Sequence, residues 1–176
     1  MKKLYFAVIL AVTGTTMLLQ GCSQTGVKVG KPAPAWETLT LGEVNLSSQE
    51  LQGNYVLMYF WGTWCDTCRA ENPALMEVYE KFQDARFQDG YDFKIIGIAL
   101  NSNEMDCRRI IREDKLRIRH HILDNSTTGN IFDAPLAKLY GIKKLPTRIL
   151  LDGNGVVLGV DLSVEELEQL LRSKLL

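Results

Sequence analysis

The chain has little of what metal centres and charge-driven partners require. Its two histidines, His120 and His121, are adjacent. Neighbours in an extended segment face opposite sides, so the two imidazoles do not share a metal and read as structural or exposed. Charge of neither sign dominates. Twenty basic and 21 acidic residues leave a net charge of −1, and that balance gives no reason to expect nucleic acid or a polyanionic partner. There are no internal repeats and no low-complexity tracts. The one long apolar stretch, Leu4 to Leu19, is interrupted at Thr13 to Thr16 and is short for a spanning helix of about 20 residues. Cysteine is scarce, at four. A single Cys-x-x-Cys lacks the second ligand pair of a structural zinc site. Arg69 rather than histidine follows Cys68, which excludes haem attachment.

What is there divides into an appendage and one domain. A composition of 46% hydrophobic and 23% charged residues over 176 positions suits one globular domain with a sizeable core. Lys2-Lys3, the apolar stretch and Leu19-Gln20-Gly21-Cys22 follow the order of an export signal. Leu19 and Gly21 ahead of Cys22 resemble the bacterial lipobox, which implies that residues 1–21 are a lipoprotein signal peptide and that Cys22 is lipidated. An uncleaved N-terminal membrane anchor is the alternative. Either way the domain is expected in the cell envelope, outside the cytoplasm and beside a membrane. Residues 22–30 read as the lipidated cysteine and a polar tether, and residues 31–176 as the domain, opening at Lys31-Pro32-Ala33-Pro34.

Hydrophobic periodicity orders the domain. Trp36 to Leu46 suggests a short hairpin around Gly42, and Ser47 to Leu51 a helical turn. Tyr55 to Trp61 is an apolar strand. Leu75, Met76, Val78, Tyr79 and Phe82 recur at helical spacing to about Ala85, with Pro73 inside that helix, where a kink is expected. Phe93 to Leu100 reads as a strand covered on both faces. A helix capped from Asn101-Ser102-Asn103 runs to about Leu116, and His121 to Leu123 is a short strand. Pro135 to Tyr140 is a short helix ended by Gly141. Asp152-Gly153-Asn154-Gly155 joins two further strands as a hairpin, and Ser163 with Glu166 caps the last helix. Strands alternating with helices predict an α/β sandwich around a central mixed sheet.

The chemistry lies at Trp64-Cys65-Asp66-Thr67-Cys68, where the Tyr55–Trp61 strand delivers two thiols to the first turn of a helix. Unpaired N–H groups and partial positive charge at a helix N-terminus stabilise a thiolate, the form that attacks disulfides. A ring as short as the one between Cys65 and Cys68 adds little loop entropy, so such a bond is better suited to opening and closing than to bracing a fold. Cys65, nearest the helix start, is expected to attack, and the more buried Cys68 to resolve. Trp64 shields the sulfurs. Asp66 disfavours a neighbouring thiolate, so the pair is expected to be reducing rather than strongly oxidising. Glu71, one turn beyond Cys68, is a candidate proton acceptor during ring closure, or else a surface glutamate. Pro146 starts a strand and by default has a trans bond. A cis bond is better tolerated there than at other residues, and its backbone neighbours offer pairing to an extended substrate. Cys107 reads as a small semi-buried apolar residue, with a third redox thiol or an intermolecular link as the alternative. The basic cluster from Arg108 to Arg119 reads as a solvated face or a contact for anionic headgroups.

Val29 to Pro34, Phe60 to Pro73 and Tyr140 to Thr147 together resemble the TlpA/ResA-type thiol–disulfide reductases of the thioredoxin superfamily. The resemblance runs from about Val29 to the C-terminus. It implies a thioredoxin-like fold with a strand–helix insertion near Phe87 to Leu116. It further implies Cys65 as nucleophile, Cys68 as resolving thiol, Glu71 as active-site acid and Pro146 as cis-proline, with Trp64, Leu145 and Pro146 at the substrate groove. No cofactor is implied beyond the Cys65–Cys68 disulfide itself. The implied partners are disulfide-containing exported proteins, including those matured into c-type cytochromes, and a membrane electron donor. The chain departs from the family at three places. Tyr59 stands where thioredoxin has a buried aspartate, so Glu71 is left as the expected buried acid. Asp66-Thr67 lacks the common proline, and Leu145 is bulkier than usual. Two other readings are a thiol peroxidase, whose Pro-x-x-x-Thr-x-x-Cys pattern meets Gly62 where threonine belongs, and a non-catalytic binding module.

Overall fold

Seven of the eight residues in the strand that precedes the cysteines are buried, a pattern that only a central strand with both faces covered can satisfy. The computed structural model describes residues 26–176, so the signal segment, Cys22 and the start of the tether lie outside the described residues. Two short strands come first, β1 (Glu37–Leu39) and β2 (Asn45–Ser47), which form the expected antiparallel hairpin. The central strand is β3 (Asn54–Trp61), and α1 (Asp66–Phe82) follows it. Next come β4 (Arg86–Phe87), β5 (Gly90–Leu100), α2 (Glu104–Glu113) and β6 (His120–Asp124). The chain closes with α3 (Pro135–Tyr140), β7 (Thr147–Leu151), β8 (Val157–Val160) and α4 (Val164–Ser173).

The main sheet is mixed. β5 runs parallel to β3 on one side, and β7 runs antiparallel on the other. β6 extends the parallel half beyond β5, and β8 extends the antiparallel half beyond β7. Parallel neighbours need a crossover, which α1 and α2 supply, whereas β7 and β8 need only a tight turn. In that turn the Asp152 carboxylate accepts the N–H groups of Asn154 and Val156, at 2.9 and 2.8 Å. β5 and α2 occupy the region near Phe87 to Leu116 where the resemblance implies a strand–helix insertion. β5 pairs directly with β3, so it belongs to the middle of the sheet.

Side chains alternate across β3 and so build two apolar layers. Tyr55, Leu57, Tyr59 and Trp61 face Leu75, Met76, Val78 and Phe82 of α1 and Leu167 and Leu171 of α4. Val56, Met58 and Phe60 face Trp36, Leu136, Ala137 and Tyr140. The helix ends follow local chemistry. Asn103 caps α2 through the Asp106 N–H at 2.8 Å, Ser163 and Glu166 form a capping box on α4, and Gly141 ends α3 at φ 70°. α2 stops at Glu113, short of the expected Leu116, and α1 continues through Pro73.

Residues 26–30, expected to belong to a tether, are packed on the domain. The Gly26 N–H donates to the Leu139 carbonyl at 3.2 Å and the Gly30 N–H to that of Val157 at 2.8 Å, while Val27 packs on the second apolar layer. The chain is therefore held to the domain before Lys31, by backbone hydrogen bonds that no composition signal announces. Among the described residues, no helix is long and apolar enough to cross a membrane.

His121 is buried beside Trp61, with ring centroids 6.3 Å apart and neither imidazole nitrogen partnered among the described residues. The residue opposite must be glycine, because a Cβ on Gly97 would lie 2.6 Å from the His121 ring. Burial pushes the His121 pKa down to about 4 from its usual 6.5. As pH falls below 6.5 the unfolded chain takes up a proton that the folded chain refuses until about pH 4, so stability is full above 6.5 and declines between those values. Urea unfolding at pH 7.5 and pH 5 is expected to show a loss of about 2 kcal/mol from this group. His121→Leu should remove that share of the pH dependence, and an unchanged slope contradicts the assignment.

Candidate active site

The turn after β3 is tied to the strand end beside it. Thr63 bonds the Ser102 hydroxyl through both its N–H and its hydroxyl, each at 3.2 Å, and the Trp64 indole N–H donates to the Leu100 carbonyl at 3.3 Å. The Trp64 ring lies against Gly62, where an added Cβ would come within 3.0 Å of it. Next in sequence, Cys65 is the N-cap of α1, and its Sγ accepts the Cys68 N–H at 3.2 Å. The two cysteines are joined as a disulfide with Cα atoms 5.3 Å apart. Cys65 keeps 8% of its surface exposed, Cys68 none, and the adjacent Trp64 stands 51% exposed. An incoming thiolate or disulfide can meet only Cys65.

Pro146 lies one residue beyond the last β3–β7 pair, Phe60 with Thr147, beside the turn that carries the cysteines. The Leu145–Pro146 bond is cis, as the resemblance implies and against the default from sequence alone. Leu145 is half-buried and packs on both apolar layers, so its bulk is taken up largely by the core. The Thr147 hydroxyl donates to the Lys144 carbonyl at 2.8 Å and closes this turn.

Beneath Cys68 lies a polar chain that sequence reading did not find. The Tyr59 hydroxyl reaches the Cys68 carbonyl at 3.3 Å and the Asn72 side-chain oxygen at 2.8 Å. Asn72, with no exposed surface, donates to Asp114 at 2.9 Å, and Arg69 clamps Asp114 from outside. Burial raises the Tyr59 phenol above its ordinary range, so it stays protonated. The expectation that Glu71 is a buried acid needs correction. Its side chain is 39% exposed and is paired with Arg148, itself only 4% exposed. The buried polar residues on this face include Asn72, Arg148 and His121. A charged residue inside the otherwise apolar run Thr147 to Leu151 was the available signal for Arg148, and Asn72 gave none.

A family model described as AhpC/TSA matches residues 29–160. The chain belongs to the AhpC/TSA family. Curated relatives give the activity. The thiol–disulfide oxidoreductase ResA of Bacillus cereus is 26% identical over 82% of this chain and 75% of its own length. The thioredoxin-like protein YneN of Bacillus subtilis is 26% identical over 83% and 80%. Among solved structures, the thioredoxin domain of a thiol–disulfide oxidoreductase from Bacteroides vulgatus superposes with a TM-score of 0.68 at 27% identity, covering 84% of this chain and 98% of that one. A thiol:disulfide interchange protein from Bacteroides sp. gives 0.67 at 28%, over 84% and 90%. This AhpC/TSA-family chain is a thiol–disulfide oxidoreductase with a thioredoxin-like fold and a Cys65-x-x-Cys68 pair. The peroxidase and binding-module readings give way to it.

Cys107 of this oxidoreductase is free and fully buried, and burial pushes its thiol up to about 11. A protonated, covered thiol neither attacks nor is attacked. After reduction, iodoacetamide at pH 8 is expected to label Cys65 rapidly in the native protein and Cys107 only after denaturation. Native labelling of Cys107 at a comparable rate would restore it as a redox thiol. Among the described residues no cluster of side chains suits a metal ion, and His120 stays partly exposed while His121 is buried. Of the basic cluster, Arg108, Arg109 and Arg117 pair with Glu104, Asp106, Glu113 and Glu80 on the surface.

Proposed function

We propose that this enzyme works outside the cytoplasm, held to a membrane through a lipid on Cys22, and reduces or exchanges disulfides in exported proteins, those matured into c-type cytochromes included. The observation that carries the reading is the unequal exposure of the two cysteines, with Cys65 keeping 8% of its surface open and Cys68 none. The Cys65 thiolate attacks one sulfur of the client disulfide, a mixed disulfide forms, and the other client sulfur leaves as a thiolate. Cys68 then gives its proton to Glu71 and attacks the Cys65 sulfur. The ring closes, the client leaves reduced, and the enzyme keeps the disulfide. Two electrons have passed to the client. A thiol donor in the membrane returns them by the same exchange in reverse.

The extended part of the client lies along the Leu145–Pro146 turn by strand addition, beside Trp64. Location rests on the first 22 residues, and it fits the chemistry, since a disulfide persists only away from the reducing cytosol. Asp66 at the first position of α1 sets a carboxylate next to the attacking sulfur and keeps the pair on the reducing side.

Cys68→Ser is expected to accumulate mixed disulfides with exported clients in the cell envelope, recoverable as adducts that a thiol releases. Cys65→Ser should accumulate none and should lose insulin reduction. Adducts confined to cytosolic proteins would contradict the location. In the reduced enzyme, the Cys65 thiolate absorbance is expected to appear well above pH 4, and titration near pH 4 would overturn the reducing assignment.

A further inference from the structure

Arg148 is the only charged residue of β7, and it is 3% exposed in the middle of the sheet. It pairs across the strands with Tyr59, so both side chains stand on the face that α1 covers. Its guanidinium lies 5.5 Å from the centre of the Tyr59 ring, Nη1 donates to the Leu162 carbonyl at 3.1 Å, and Nη2 donates to Glu71. Among the described residues, the Nε–H is buried without a partner. For the fold alone this is a poor choice, since well-packed apolar residues commonly serve a buried site as well as an ion pair does. Its placement suggests another role. Among the described residues, its one salt-bridge partner is the carboxylate one turn past the resolving cysteine, and the ring it stacks on ends in a hydroxyl that touches the Cys68 carbonyl.

We propose that Arg148 is a positioning residue for the exchange reaction, holding the Glu71 carboxylate in place beside the turn of α1 that carries Cys68. The inference rests on Glu71 accepting the Cys68 proton, as set out above. In the step concerned, the Cys68 S–H bond breaks with its proton going to Glu71, the Cys65–Cys68 bond forms, and the bond from Cys65 to the client sulfur breaks. The client departs as a thiolate with the electron pair. Glu71 is partly exposed, so without Arg148 its carboxylate is free to turn out into water. Small losses of alignment of a proton acceptor are costly in rate.

Stopped-flow measurement of the reduced protein with glutathione disulfide as the probe separates mixed-disulfide formation at Cys65 from resolution by Cys68. Arg148→Met and Glu71→Gln are each expected to leave formation within about twofold and to slow resolution about tenfold. The double variant should be no slower than either single one, because both changes remove the same arrangement. Arg148→Lys, which keeps the charge without the fork, should recover part of the rate. A purely structural Arg148 would lower the melting temperature and leave resolution unchanged, and that result overturns the proposal. So does a double variant slowed about a hundredfold, which would mean that Arg148 acts apart from Glu71. Resolution unchanged in Glu71→Gln alone removes the proton-acceptor role itself and this inference with it. Should Arg148→Met fail to fold, Arg148→Gln, an uncharged planar donor for the Leu162 carbonyl, carries the same expectation.

Discussion

The first turn of α1 is capped by sulfur. Where a helix ordinarily ends on a serine or aspartate oxygen, Cys65 Sγ takes the N–H of Cys68, and the same two residues share the disulfide. One contact thus joins local structure and chemistry. The unpaired N–H groups and partial positive charge that every helix start must satisfy are directed onto the atom that reacts. When the ring opens, the site that accepted a hydrogen bond as a disulfide can accept it more strongly as a thiolate. The fold serves to hold this cap at the surface and to keep its partner sulfur covered.

Rigidity around the cap comes from both edges of β3. Toward β5, Thr63 and Trp64 are tied to Leu100 and Ser102, so the turn cannot swing away from the sheet. Toward β7, the Leu145–Pro146 turn lies alongside with Leu145 anchored in both apolar layers. Beneath, Tyr59, Asn72 and Asp114 pin the second turn of α1 to the end of α2. Pro73 removes one backbone hydrogen bond from α1 by having no N–H to give. The side-chain bonds of Asn72, immediately before it, hold the helix at this point. The result is a pair of sulfurs fixed in place with a single open approach.

Polar groups gather beneath the sheet face that α1 covers. Tyr59 and Arg148 are buried on that side and bond to Cys68 and Glu71 of the helix, while Asn72, on α1 itself, bonds Tyr59 and Asp114. An apolar core would give more stability and no specific placement. Concentrating hydrogen bonds under the redox helix fixes its rotation, which decides which sulfur faces outward. The opposite face of β3, packed on Trp36 and Tyr140, has polar contacts of its own: the buried Asp124 accepts the Leu136 and Ala137 N–H groups at 3.1 and 2.8 Å, and the Trp36–Tyr140–Pro34 chain seats the N-terminal segment.

Most elements were legible from period and punctuation. The Tyr55–Trp61 strand, the helix at Pro135–Tyr140, the turn at Asp152–Gly155 and the Ser163–Glu166 cap follow from contacts within a few residues, and such contacts are written in order along the chain. The Cys65–Cys68 pair was legible for the same reason, since its members are three positions apart. The cis bond before Pro146 was implied by resemblance alone, and the docking of Gly26 and Gly30 was not legible at all. The ion pair of Glu71 was likewise hidden, because its partner lies 77 positions away. By itself the sequence determined the reactive pair, the helix that carries it and the order of the layers, all products of short-range spacing. Tertiary structure alone decided how far Glu71 is covered and which charged side chain meets it, because burial and long-range pairing exist only once distant strands lie side by side.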